Sequence, residues 1–174
     1  RQLRRVRESG LRDALTGLYN RRFLEEYVGE DRRGAAPFAQ LSAILCDVDH
    51  LESANDFHGH GFGDQVLRRV ADALQRSLRN TDVGVRWGGD AFLFLLPGAP
   101  LETAREIAER QRSAVEELSL RTPDGAPFPV RISCGVACRS GTQDLVVTAD
   151  AALRRAKHEG RNRVAAAPPA ARPA

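Results

Sequence analysis

Apolar residues recur at helical spacing through Val66, Leu67, Val70, Ala73, Leu74 and Leu78, so Asn55 to Arg79 reads as a Gly-punctuated loop followed by a core-facing helix. A second amphipathic pattern, Leu15 to Val28, predicts a helix that Gly34 and Pro37 terminate. Phe38 to Val48 is largely apolar and ends in acids, the pattern of a buried strand. Two further β-type runs, Asp82 to Trp87 and Phe92 to Leu96, flank Gly88-Gly89 and predict a hairpin with a tight turn. Downstream, the pattern gives a helix from Leu101 to about Leu118 and a β pair within Arg121 to Cys138 that turns at Pro123-Asp124-Gly125. A helix from about Asp144 to Glu159 and a last strand near Asn162 to Ala166 complete the series. Strands alternating with helices around an antiparallel hairpin predict an α/β (α+β) sandwich of the ferredoxin-like kind, its central, mostly antiparallel sheet flanked by helices.

Composition narrows the function classes. At 174 residues, 42% of them hydrophobic, the chain suits one globular domain, and no apolar run is long enough to cross a membrane. The net charge of +3 is local: Arg1 to Arg12 holds five arginines against Glu8, or +4, which leaves −1 for everything else. No face for reading nucleic acid follows from that balance. Cys46, Cys134 and Cys138 sit in apolar strand-like runs without metal-site spacing, which suggests buried thiols in a reducing, cytoplasmic setting. Leu3, Val6 and Leu11 among charges suggest that residues 1–12 are the tail of a linker helix arriving from an upstream sensor or receiver module. A frayed, solvated terminus is the plainer alternative. The main domain is then expected over 13–166, with 167–174 a disordered Ala/Pro tail. His50, His58, His60 and His158 have the spacing of loop packing rather than catalysis.

The motifs carry more. Arg86-Trp87-Gly88-Gly89-Asp90-Ala91-Phe92 places an acid at a hairpin tip beside two glycines. It is accompanied, in order, by Asp13-Ala14-Leu15-Thr16-Gly17-Leu18-Tyr19-Asn20-Arg21-Arg22, Asp47-Val48-Asp49, Asn55 to Asp64, and Ala149 to Val164. The set resembles the GGDEF family, the diguanylate cyclases, over roughly Asp13 to Val164. That resemblance implies a palm-type nucleotide cyclase fold and a reaction that joins two GTP molecules into cyclic di-GMP. This chain departs from the family pattern at Ala91, where an acid is usual, at Leu51-Glu52, where Phe-Lys is usual, and at His58, usually aromatic.

Joining a 3′-hydroxyl to an α-phosphate requires in-line attack and carboxylates that hold cations against the triphosphate. The resemblance implies that Asp47, the main-chain oxygen of Val48 and Asp90 hold Mg²⁺ or Mn²⁺. It also implies that Asn55 and Asp64 read guanine, that Lys157 and Arg161 face phosphates, and that Gly88 and Gly89 let main chain approach the nucleotide. Lys157 and Arg161 lie four apart, which predicts one helical face; a basic helix end facing its own dipole is the alternative. Ala91 makes the metal site incomplete, so turnover is expected to fall steeply. Glu52, as a substitute ligand, is disfavoured by its five-residue separation from Asp47.

Arg79-Asn80-Thr81-Asp82 stands where the family carries its RxxD inhibitory motif for cyclic di-GMP, and Arg110 stands where a second arginine often joins it. Guanidinium groups chelate phosphate or guanine, and a carboxylate accepts from guanine N–H groups. The expectation is thus a catalytically impaired domain, not an enzyme, that needs no cofactor and serves as a cyclic di-GMP receptor through Arg79, Asp82 and Arg110. The alternatives are a weak or conditional diguanylate cyclase acting as a homodimer, or a GTP-binding regulatory or dimerisation module.

Overall fold

The structure, a computed structural model, describes residues 10–32, 40–139 and 144–168. The linker-helix reading of 1–12 and the tail read at 167–174 fall largely outside these residues. Within them, Arg12 forms a β-bridge to Tyr19, and the Ala167 N–H donates to the Val136 carbonyl at 2.7 Å, so Ala167 is still part of the folded domain.

Seven strands and five helices are described: α1 (Arg21–Arg32), β1 (Leu41–Val48), α2 (Leu51–His58), α3 (His60–Gln75), β2 (Val83–Arg86), β3 (Ala91–Pro97), α4 (Leu101–Glu116), β4 (Leu120–Arg121), β5 (Pro127–Phe128), β6 (Ile132–Cys138), α5 (Leu145–His158) and β7 (Val164–Ala166). The main sheet runs β2-β3-β1-β6-β7. Its pairs are antiparallel except β6 with β7, which are parallel and joined through α5, the helical crossover that a parallel pair requires. The fold is the expected α+β sandwich. The predicted β pair divides: β6 belongs to the main sheet, while β4 and β5 form a separate two-stranded ribbon around Gly125.

Alternation along β1 sorts the core into two layers. Ile44, Cys46 and Val48 pack with Val66, Val70, Leu74, Ile107 and Ala108 of α3 and α4. Leu41, Ala43 and Leu45 face the other way, toward Leu24 of α1 and Leu145, Ala149 and Leu153 of α5. Gly135 sets the distance of α5 from the sheet: a Cβ there would lie 2.1 Å from the Ala149 carbonyl oxygen and 2.3 Å from the Leu153 nitrogen.

Two predicted boundaries move. Leu15 to Asn20 is turn and bridge rather than helix, because the Asp13 carboxylate accepts from the Thr16 N–H and hydroxyl and Gly17 adopts φ +72°. Helix α1 starts afterwards, with Asn20 Oδ1 accepting from the Phe23 N–H. The Gly-punctuated loop after Asn55 is helical apart from Gly59 at φ +85°, which separates α2 from α3.

Candidate functional site

Strand register builds the site. The last residues of β1 bring Asp47 directly opposite Ala91 on β3 and Ser133 on β6. The Val48 N–H donates to the Asp90 carbonyl at 3.0 Å, which fixes the hairpin tip to the end of β1. The Val48 carbonyl points to the same side of its strand as that N–H, toward the hairpin. Asp47 and Asp90 are therefore neighbours. Burial, the larger cause, and the negative charge of Asp90 push the Asp47 carboxyl up from its ordinary 3.8 to about 6, although a hydrogen bond from Lys157 opposes them.

Lys157, in the last turn of α5, forms an ion pair with Asp47 Oδ2. Asp47 Oδ1 is buried and has no hydrogen-bond partner. A buried carboxylate oxygen without a donor, next to a second carboxylate, fits a hard cation. Among the described residues no cluster of three or more His, Cys, Asp or Glu side chains could hold a metal ion. The available donors are thus two carboxylates and the Val48 main-chain oxygen, which suits Mg²⁺, an ion that keeps several waters and takes further ligands from substrate phosphates.

The hairpin tip differs from its sequence reading. Residues 87–90 connect β2 and β3, and neither Gly88 nor Gly89 has the left-handed backbone of a two-residue turn. Their contribution is space: an added Cβ would meet only Ala91 Cβ at 3.8 Å from Gly88 and nothing within 4 Å from Gly89. Arg86 holds the turn, a role that sequence reasoning missed. Its guanidinium donates to the carbonyls of Gly88, at 2.7 Å, and Gly89, and lies 3.5 Å from Asp13. The available signal was an arginine two residues before a Gly-Gly pair.

The other predicted residues are placed unevenly. Asn55 and Asp64 flank the α2–α3 junction, where Gly63 lies so close to Asn55 that a Cβ would meet its Oδ1 at 1.7 Å. Asp64 is exposed. Lys157 and Arg161 do not share a helical face: α5 ends at His158, and Arg161 has φ +62° in the following turn. Gly160, at φ +118°, ends the helix before Arg161 is reached, and the Arg161 N–H donates back to the Ala156 carbonyl at 3.0 Å. Arg161 instead lines a cleft of about 410 Å³ with Asp49, His50, Phe57, His58 and Phe128. Asp49 is a structural acid, accepting from the Ser133 hydroxyl at 2.8 Å and the Asn162 N–H at 3.0 Å. Glu52 is exposed on the first turn of α2.

Residues 79–82 form a closed turn in which Asp82 Oδ2 accepts from the Arg79 N–H at 2.7 Å. Gln111 donates to the Leu74 carbonyl at 3.1 Å, which anchors the turn of α4 carrying Arg110 to the end of α3. Both Arg79 and Arg110 are exposed, and no hydrogen bond or ion pair engages either guanidinium among the described residues. No described helix is long and apolar enough to cross a membrane.

A mixed sheet thus carries an acid at the end of its central strand, facing a Gly-Gly hairpin. The profile of the family described as "Diguanylate cyclase, GGDEF domain" matches residues 11–163, and the chain belongs to that family. Diguanylate cyclase DgcM of Escherichia coli (strain K12) is 40% identical over 159 residues, 89% of this chain and 38% of that protein. Diguanylate cyclase VdcA of Vibrio cholerae is 36% identical over 168 residues, 94% of this chain and 49% of that protein. The coiled coil and GGDEF domain of DgcB from Caulobacter crescentus, solved in complex with c-di-GMP, superposes with a TM-score of 0.85 at 30% identity, covering 95% of this chain and 90% of that one. The chain spans less than half the length of these curated relatives.

The expectation that the chain is not an enzyme is corrected by these findings. DgcM and VdcA, at 40% and 36% identity, are named diguanylate cyclases, and the substitution at Ala91 leaves the Asp47–Asp90 pair assembled, with one Asp47 oxygen still free of any donor.

Proposed function

We propose that this chain is a conditional diguanylate cyclase, active when two copies each present one GTP. In the reaction, each 3′-hydroxyl attacks the α-phosphorus of the other GTP and expels pyrophosphate, so two P–O bonds form and two break. Bound Mg²⁺ or Mn²⁺ would neutralise triphosphate charge and polarise the reacting phosphoryl group. The carrying observation is the Asp47 and Asp90 carboxylates held together with Asp47 Oδ1 lacking a donor. Asp47, Asp90 and the Val48 carbonyl are the assigned metal donors. Lys157 supplies the nearby positive charge, and Arg86 holds the main chain of the hairpin in place. Asn55 and Asp64 are assigned to guanine and Arg161 to phosphate.

The unpaired, exposed guanidiniums of Arg79 and Arg110 support a second element, binding of the cyclic di-GMP product away from the reaction site, with Asp82 accepting from guanine.

The deciding experiment incubates the chain at rising concentration with GTP and Mg²⁺ and quantifies products chromatographically. Cyclic di-GMP should appear at a rate rising more steeply than linearly with protein, and Asp90→Ala should abolish it. Unconsumed GTP at every concentration, with either metal, would overturn the cyclase reading. Calorimetric titration with cyclic di-GMP examines the second element independently, with binding expected in the parent chain and lost in Arg79→Ala.

A further inference from the structure

Cys46 and Cys134 are both fully buried, and their sulfurs lie 3.0 Å apart. That is closer than ordinary van der Waals contact between two sulfurs and about 1 Å beyond a disulfide bond length. They are direct partners in the β1–β6 register. The ladder's phase is set by the Asp49 N–H bonded to the Arg131 carbonyl and the Arg139 N–H bonded to the Leu41 carbonyl, which makes odd-numbered β1 residues the hydrogen-bonded ones. The Cys134 N–H agrees, pointing away from β1 to the Arg163 carbonyl on the β7 side. Cys46 and Cys134 are thus a non-hydrogen-bonded antiparallel pair, the closer of the two kinds, with a typical Cα separation of about 4.5 Å. That lies inside the range of about 4.4–6.8 Å that a disulfide spans, so closure needs no change of register.

We infer that Cys46 and Cys134 are a peroxide-oxidisable dithiol that closes into a cross-strand disulfide. One sulfur gives up its proton and attacks hydrogen peroxide as the thiolate; the O–O bond breaks, the proton joins the departing hydroxide as water, and sulfenic acid forms. The neighbouring thiol sulfur displaces that hydroxyl as a second water, and the S–S bond forms. Two thiols are oxidised, and one peroxide is reduced to two waters. Full burial selects the oxidant: a hydroperoxide little larger than water reaches sulfurs that a tripeptide disulfide cannot. The bond would join residues 88 apart and fasten β1 to β6 one residue before Asp47. This inference stands independently of the proposed reaction.

The test treats the whole chain with hydrogen peroxide, counts free thiols after denaturation, and maps peptides without reduction. Two of the three thiols should disappear together, leaving Cys138, with Cys46 and Cys134 peptides linked and a higher thermal midpoint. Cys138→Ser should retain the linked pair. Cys46→Val and Cys134→Ala should each lose it, and either one that folds suffices as the control. Oxidised glutathione at equal exposure should leave the pair reduced. Sulfinic or sulfonic acid at either position without a link, untouched Cys46 and Cys134 beside oxidised Cys138, or equal linking by glutathione disulfide would each overturn the inference.

Discussion

Lys157 and Asp47, 110 residues apart in the chain, form an ion pair that joins the last turn of α5 to the end of β1. The two differ in their surroundings. The Asp47 side chain is 10% exposed and that of Lys157 34%, so the carboxylate bears most of the desolvation and the ammonium retains water. Lysine near a helix C-terminus also lies at the favourable end of the helix dipole. The pair satisfies one Asp47 oxygen and leaves the other bare, which is the electrostatic state that a bound cation would complete.

That state has a cost that pH exposes. The folded Asp47 carboxyl is raised from 3.8 to about 6, so ionisation disfavours the folded chain. Its stability contribution is fully present below 3.8 and is lost as pH rises through about 6. The difference corresponds to an upper bound of about 3 kcal/mol, reduced in practice because Asp47→Asn also gives up the Lys157 pair. Asp47→Asn is expected to raise the thermal midpoint at pH 8 by a few degrees and to leave it nearly unchanged at pH 4. Paired melts of the two proteins at both pH values measure this, and a midpoint below the parent at pH 8 contradicts it.

Arg86 acts on the same hairpin through main chain. Its two donations to the Gly88 and Gly89 carbonyls require the planar fork of a guanidinium, which lysine lacks. Arg86→Lys should keep the fold while losing about 1–3 kcal/mol, since the bonds are partly exposed. Cyclic di-GMP formation should fall by about tenfold or more, because misplacing a reacting group by an ångström is costly. Urea denaturation and the product assay read the two effects separately. Full activity with reduced stability would confine Arg86 to a structural role.

The sequence carried the sheet and the α3 and α4 helices because their patterning is strong and their core faces continuous. It misplaced the start of α1, where the apolar pattern from Leu15 onward was overridden by the Asp13–Thr16 side-chain bonds and the left-handed Gly17. The ordered motifs brought Asp47, Asp90 and Lys157 to one place. They could not reveal that Lys157 would pair with Asp47 or that Arg161 would leave its helix, since both depend on where α5 ends against β1. Residue 91 alone does not decide the site, because strand register brings Asp47 and Asp90 together whichever side chain stands there.

Gly135 fixes that same helix. In Gly135→Ala the new methyl meets main chain of Ala149 and Leu153, which cannot rotate away as a side chain could. Helix α5 would have to lift from the sheet, separating Lys157 from Asp47. The expected destabilisation is about 3 kcal/mol or more, the upper end of overpacking. Chemical denaturation measures it. A cost below about 1 kcal/mol would mean that α5 does not rest on the sheet as closely as described.

Ala91 offers the converse experiment. Its register opposite Asp47 means that Ala91→Glu would add a third carboxylate on the sheet face where Asp47 meets Lys157. Without metal, like-charge repulsion should push the Asp47 carboxyl higher still and lower the thermal midpoint at pH 8. With Mg²⁺ the added oxygen becomes a ligand, so the midpoint should recover at concentrations about tenfold below those the parent requires, a change of about 1.4 kcal/mol in binding. Metal titrations followed by thermal unfolding measure both arms in one series. A variant whose metal dependence matches the parent would place the cation away from residue 91 and make Asp47, Val48 and Asp90 the whole of its protein-derived shell.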